Sequence, residues 1–107
     1  MAKLLSIMLV LAIVAVTVFA DECEKDRIDM KRECRRYHTW PAEPKLIPSE
    51  ACCAVWQRAN VPCLCKDVNK DKMKVLCMDK VVFVAKYCKS PFTPGSKCGI
   101  YTIPNHA

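Results

Sequence analysis

Cysteine is the residue through which this chain could do chemistry. There are nine: Cys23, Cys34, Cys52, Cys53, Cys63, Cys65, Cys77, Cys88 and Cys98. Clustered thiols can form disulfides, hold a soft metal ion, or attack as nucleophiles. A nucleophilic role needs an adjacent base, and the two histidines, His38 and His106, sit in no recognisable Ser or Cys catalytic motif. An enzyme is therefore not expected. The choice between disulfide and metal site depends on the compartment, because oxidising compartments turn paired thiols into disulfides.

The N-terminal residues point to such a compartment. Lys3 is followed by an apolar run from Leu4 to Phe19, and Val18 and Ala20 put small residues before polar Asp21-Glu22. This is the layout of a cleaved secretory signal, and the run is short for a spanning helix. We expect residues 1–20 to be the signal peptide and 21–107 a single secreted, extracellular domain. All nine cysteines fall in that domain, so disulfides are expected, with no metal and no cofactor. So small a core needs such staples. Without Lys3, the 17 basic and 11 acidic residues become 16 and 11, a net charge of +5. The basic crowding from Lys25 to Arg36 reads first as a solvated helix face, with attraction to anionic lipids or wall polyanions as the sharper reading. No nucleic-acid motif is present, and no nucleic-acid partner is expected.

Helices must position the cysteines. Gly95 and Gly99, both near the end, are the only glycines, so hairpin punctuation is scarce. Glu22 to Tyr37 carries Cys23, Met30, Cys34 and Tyr37 on one stripe. Trp40-Pro41-Ala42-Glu43-Pro44 breaks that helix. Ser49 can cap a second helix, Ser49 to Ala59. A short third helix starts near Pro62. A fourth is predicted from Asp71 to Tyr87, with Met73, Cys77, Val81, Val84 and Cys88 on one face. Lys89 to Ala107 reads as a looped strap. The predicted architecture is all-α: a compact four-helix bundle, disulfide-stapled, with a C-terminal strap. An adjacent pair such as Cys52-Cys53 can pin one helix to two neighbours.

The ordered set Cys23–x10–Cys34–x17–Cys52-Cys53–x9–Cys63-x-Cys65–x22–Cys88–x9–Cys98 resembles the eight-cysteine plant superfamily of lipid-transfer proteins, seed storage albumins and α-amylase/protease inhibitors. The ending Tyr87-Cys88-Lys89-Ser90-Pro91, then Pro94-Gly95-Ser96-Lys97-Cys98-Gly99, looks like the lipid-transfer branch related to the defective-in-induced-resistance protein. With apolar Leu64 inside the CxC pair, the resemblance implies a type 2 pattern: Cys23–Cys63, Cys34–Cys52, Cys53–Cys88 and Cys65–Cys98. The alternative pairs Cys23 with Cys65 and Cys63 with Cys98, and spacing does not choose between them. Cys77 stands outside the framework and is expected to be a buried free thiol lining the pocket; a disulfide-linked dimer is the rival.

The resemblance further implies an internal hydrophobic cavity that carries a long-chain fatty acid or lysophospholipid. Met30, Leu46, Ile47, Val55, Ala59, Leu64, Met73, Leu76, Val81, Val84 and Ile100 are the candidate lining, and the two methionines suit an adaptable wall. Arg27, Lys45, Arg58 and Tyr101 are candidates for the mouth. The expected molecule is a monomeric, non-enzymatic lipid carrier, with transient membrane-surface contact and a role in plant defence signalling or wall-lipid transport. The competing readings are a protease or α-amylase inhibitor and a cationic antimicrobial protein.

Overall fold

A computed structural model describes residues 23–106. The proposed signal segment lies outside them. Five helices follow one another: α1 (Glu24–His38), α2 (Glu50–Arg58), α3 (Val61–Cys65), α4 (Lys70–Val75) and α5 (Met78–Tyr87). Two short strands, β1 (Lys97–Cys98) and β2 (Tyr101–Thr102), close the chain as an antiparallel hairpin. The all-α class holds. The looped strap differs only in carrying this hairpin.

Local chemistry explains most boundaries. Glu24 and Asp26 in the first turn of α1, and Arg35, Arg36 and His38 in the last, complement the helix dipole. Three later helices each start on a side-chain cap that satisfies an orphan N–H. Cys52 N–H donates to Ser49 Oγ at 3.1 Å, Cys63 N–H to Asn60 Oδ1 at 3.2 Å, and Lys72 N–H to Asn69 Oδ1 at 2.9 Å. Pro62 sits in the first turn of α3, where its missing N–H costs nothing.

The single helix predicted from Asp71 to Tyr87 is instead two helices, so the described residues hold five helices rather than the expected four. The break falls at Leu76 and Cys77, whose backbones are extended. Leu76 forms an isolated antiparallel bridge with Thr39. Around it, Cys77 N–H donates to the His38 carbonyl at 2.8 Å and Trp40 N–H to the Val75 carbonyl at 3.3 Å. These long-range bonds replace intrahelical ones, so the polar backbone stays satisfied while the 3.6-residue pattern continues across the kink. Cys77, predicted mid-helix, is therefore the cap residue of α5.

The disulfides are Cys23–Cys63, Cys34–Cys52, Cys53–Cys88 and Cys65–Cys98. Cys52 ties α2 to α1, and Cys53 ties it to the end of α5. Cys63 joins α3 to the start of α1, and Cys65 joins it to the strap. Cys34, Cys52, Cys65, Cys88 and Cys98 themselves belong to the buried cluster, beside Trp56, Val81, Val84, Ala85 and Ile103. Half-cystines thus occupy much of the centre. Each bridge contributes roughly 2–4 kcal/mol by restricting the unfolded chain, which offsets the small apolar core. Trp56 stacks edge-on against Phe92 of the strap, with ring centroids 5.7 Å apart.

Candidate functional site

A cleft of about 600 Å³ opens between α1 on one side and the α3–α4 region on the other. Its apolar surface comes from Ile28 and Met30 of α1, Leu64 of α3, Val68 of the following turn, Val75 of α4 and Leu76 of the kink. The local fold explains two of these. Cys63 and Cys65 are bonded in two different directions, to α1 and to the strap, and Leu64 between them takes a third, into the cleft. Leu76 joins the wall where α4 gives way to the bridge with Thr39.

The cleft edges are basic. Arg27, Lys31 and Arg35 recur every four residues along α1, which stacks them on one face, and Lys72 stands on α4. Asp67 and Asp71 are the acidic lining groups. Arg27 pairs with Asp67 and so links α1 to the turn after α3. Asp71 pairs with Lys74 at 3.4 Å. Among the described residues, no carboxylate lies within 4 Å of Lys31, Arg35 or Lys72. The cleft thus sets an apolar floor beside cations that have no carboxylate partner among the described residues.

One end of the cleft is polar in a different way. His38 is buried and accepts a hydrogen bond at Nε2 from Trp56 Nε1 at 3.3 Å. Burial pushes the imidazole down to about 4, so it is neutral at physiological pH. The bond at Nε2 assigns the ring proton to Nδ1. Cys34, His38 and Cys52 form a buried cluster whose ligand-type atoms all lie within 4.8 Å of one another. The two sulfurs are bonded to each other, which removes the thiolates a metal ion would need.

Of the residues singled out in the sequence, Met30, Leu64 and Leu76 line the cleft. Val55, Val81 and Val84 are buried away from it, the last two in the central cluster, against which Met73 packs half-buried. Leu46 and Ala59 are half-buried outside the cleft, while Ile47 and Ile100 are 67% and 53% exposed. Among the mouth candidates, Arg27 stands at the cleft edge. Arg58 instead binds Asp29 at 2.9 Å, and Arg32 reaches the same carboxylate at 3.0 Å. The Arg58 hydrogen bond chiefly holds Asp29 below the usual carboxylate range. Lys45 is paired with Glu43 and with Asp79 at 2.9 Å, and Tyr101 lies on the hairpin. Cys77 is free and buried, but its neighbour Leu76, not Cys77, contributes to the cleft.

Sequence reasoning missed Ile28, Val68, Val75 and Lys72, and held Lys31 and Arg35 only as part of the basic run from Lys25 to Arg36. The four-residue spacing of Arg27, Lys31 and Arg35 was a visible signal, but on its own it reads as a solvated face. A second groove, of about 440 Å³, runs between α3 and the strap past Pro62 and Phe92. It lacks the facing helices that give the larger cleft its two walls.

A family model described as probable lipid transfer matches residues 4–98. No curated protein and no solved structure matches the chain.

Proposed function

Since the chain belongs to the probable lipid-transfer family, with the four disulfides of the eight-cysteine superfamily, we propose that it is a secreted, non-enzymatic carrier of single-chain lipids. Long-chain fatty acids and lysophospholipids are the cargo class. The observation that carries this reading is the cleft between α1 and α4, with an apolar floor and, at its edge, cations without a carboxylate partner among the described residues. Its volume falls within the roughly 300–1,000 Å³ of small-molecule sites. The acyl chain lies along Met30, Leu64, Val68 and Leu76. The carboxylate or phosphate meets Lys31, Arg35 and Lys72. Binding of this kind is reversible, because apolar burial supplies most of the affinity and no covalent step is involved.

Four disulfides support an oxidising, extracellular site of action. The buried position of Cys77 supports a monomer, since a thiol 1% exposed is poorly placed for a bridge between chains. The role we propose with this reading is in defence signalling or wall-lipid transport. Titration with a fluorescent long-chain fatty acid, chased by unlabelled lysophospholipid, tests the proposal. Displaceable binding at micromolar concentration is expected, and Leu64→Asp should abolish it while the circular dichroism spectrum is kept. Absence of displaceable binding by the folded wild-type protein overturns the reading.

A further inference from the structure

The lips of the cleft are more apolar than a solvated surface requires. Ile28 on α1 and Val75 on α4 both line the opening, yet each is 54% exposed. Trp40, also 54% exposed, stands beside Val75. Its backbone N–H donates to the Val75 carbonyl at 3.3 Å, and its indole Nε1–H donates to the Met73 carbonyl at 3.0 Å. The two bonds fix the ring against the end of α4 while leaving much of it in water. Single exposed apolar side chains are ordinary. Two large ones at the opening, with Trp40 hydrogen-bonded beside one of them, form a patch, and patches of this kind mark interaction surfaces.

Charge identifies what the patch fits. Lys31, Arg35 and Lys72 border the same opening without carboxylate partners among the described residues, while Arg27 and Lys74 are engaged by Asp67 and Asp71. An indole anchored at one edge, two aliphatic lips and flexible cations around them match the layering of a lipid surface. Tryptophan settles at the head-group level, aliphatic side chains enter below it, and long basic side chains reach the phosphates. We infer that the protein docks its cleft mouth on an anionic bilayer, with Trp40, Val75 and Ile28 entering the interface and Lys31, Arg35 and Lys72 facing phosphate-bearing head groups. The inference deepens the carrier reading, because the docked face is the one through which a lipid would enter or leave.

Intrinsic fluorescence tests it directly. The chain has two tryptophans; Trp56 is 4% exposed and should be silent, so a change reports Trp40. The disulfide-bonded protein is mixed with phosphatidylcholine vesicles containing about a third phosphatidylglycerol, and with pure phosphatidylcholine vesicles. With the anionic vesicles we expect a blue shift, quenching by lipids brominated near the head group, and partitioning at least about tenfold stronger than to the neutral ones, fading as salt screens the charges. Val75→Ser and the pair Lys31→Glu with Arg35→Glu should each weaken partitioning about fivefold or more, with an unchanged circular dichroism spectrum. No blue shift with anionic vesicles, or full partitioning retained by both variants, overturns the docking proposal. Fatty-acid displacement measured without vesicles separates the two readings. Displaceable binding without vesicle partitioning overturns docking alone. Partitioning without displaceable binding overturns the carrier reading and leaves the docking surface standing.

Discussion

The backbones of Thr39 and Leu76 meet in a single antiparallel bridge that joins the end of α1 to the junction of α4 and α5. The bridge falls where the extended backbones of Leu76 and Cys77 separate α4 from α5, and Leu76 lies in the cleft wall. Leu76→Ala should therefore weaken fatty-acid binding about fivefold to tenfold, the loss expected when a half-buried leucine contact of roughly 1–1.4 kcal/mol disappears. Ile47→Ala, at a side chain 67% exposed and outside the cleft, should leave binding unchanged. Displacement titrations of the two variants side by side check this, and equal losses would contradict the assignment of Leu76 to the wall.

The kink also marks where sequence reasoning stopped. Helices with strong local chemistry were legible: Ser49 as a cap, Pro62 in a first turn, and Trp40-Pro41 as a break all declare themselves within a few residues. The kink at Leu76 and Cys77 has no such signature, because its cause lies 37 residues away at Thr39. Periodicity continues through it and suggests one helix. The cleft was partly legible for a related reason. Leu64 is singled out by its place inside the CxC pair; Met30 and Leu76 sit on apolar stripes, but so do Val55, Val81 and Val84, and periodicity cannot tell a cleft wall from a packed centre. Only the packing of α2 against α1 and α5 sends the valines inward. The cations Lys31 and Arg35 look like any solvated helix face until α4 is set opposite them.

Cys77 should be chemically silent in the folded protein. At 1% exposure its thiol is shielded from bulky reagents, and exposure controls cysteine reactivity as much as ionisation does. An aromatic disulfide reagent should label it only slowly in buffer and promptly in denaturant. Cys77→Ser exchanges the thiol for a hydroxyl that needs a partner, and should cost about 1–2 kcal/mol in urea unfolding. Non-reducing electrophoresis should show one monomeric species for both proteins. A covalent dimer lost in Cys77→Ser would contradict the buried thiol.

Gly99 turns the hairpin between Cys98 and Tyr101 with a φ of +60°, a left-handed conformation that side chains resist. A Cβ at this position would also lie 2.6 Å from the Cys65 carbonyl oxygen and 2.8 Å from Val68 Cβ. Backbone on one side and a packed valine on the other leave little room to yield. Gly99→Ala should lower stability by roughly 2–4 kcal/mol, combining backbone strain with overpacking. Gly95→Ala meets only the Asn105 side chain, at 3.2 Å, and should cost less despite its φ of +80°. Urea midpoints of the two variants give the ordering, and a reversal would refute it.

Acid should destabilise the fold in two separate ranges. His38 titrates near 6.5 when unfolded but near 4 when folded, because burial disfavours the imidazolium. Between these values the unfolded chain binds the extra proton, so stability falls as pH drops from 6.5 towards 4 and changes no further on this account below it. The shift corresponds to about 3 kcal/mol. Asp29 acts lower. Its carboxylate is held down chiefly by the Arg58 hydrogen bond, so its contribution is present above the usual carboxylate range and is lost only as pH falls below about 4. Urea unfolding at pH 7, 5.5 and 4 should show the His38 limb in the wild type. In His38→Gln that limb should flatten, whereas the loss below pH 4 should persist. A wild-type protein equally stable at pH 7 and pH 4 would show that His38 is not buried in its neutral form.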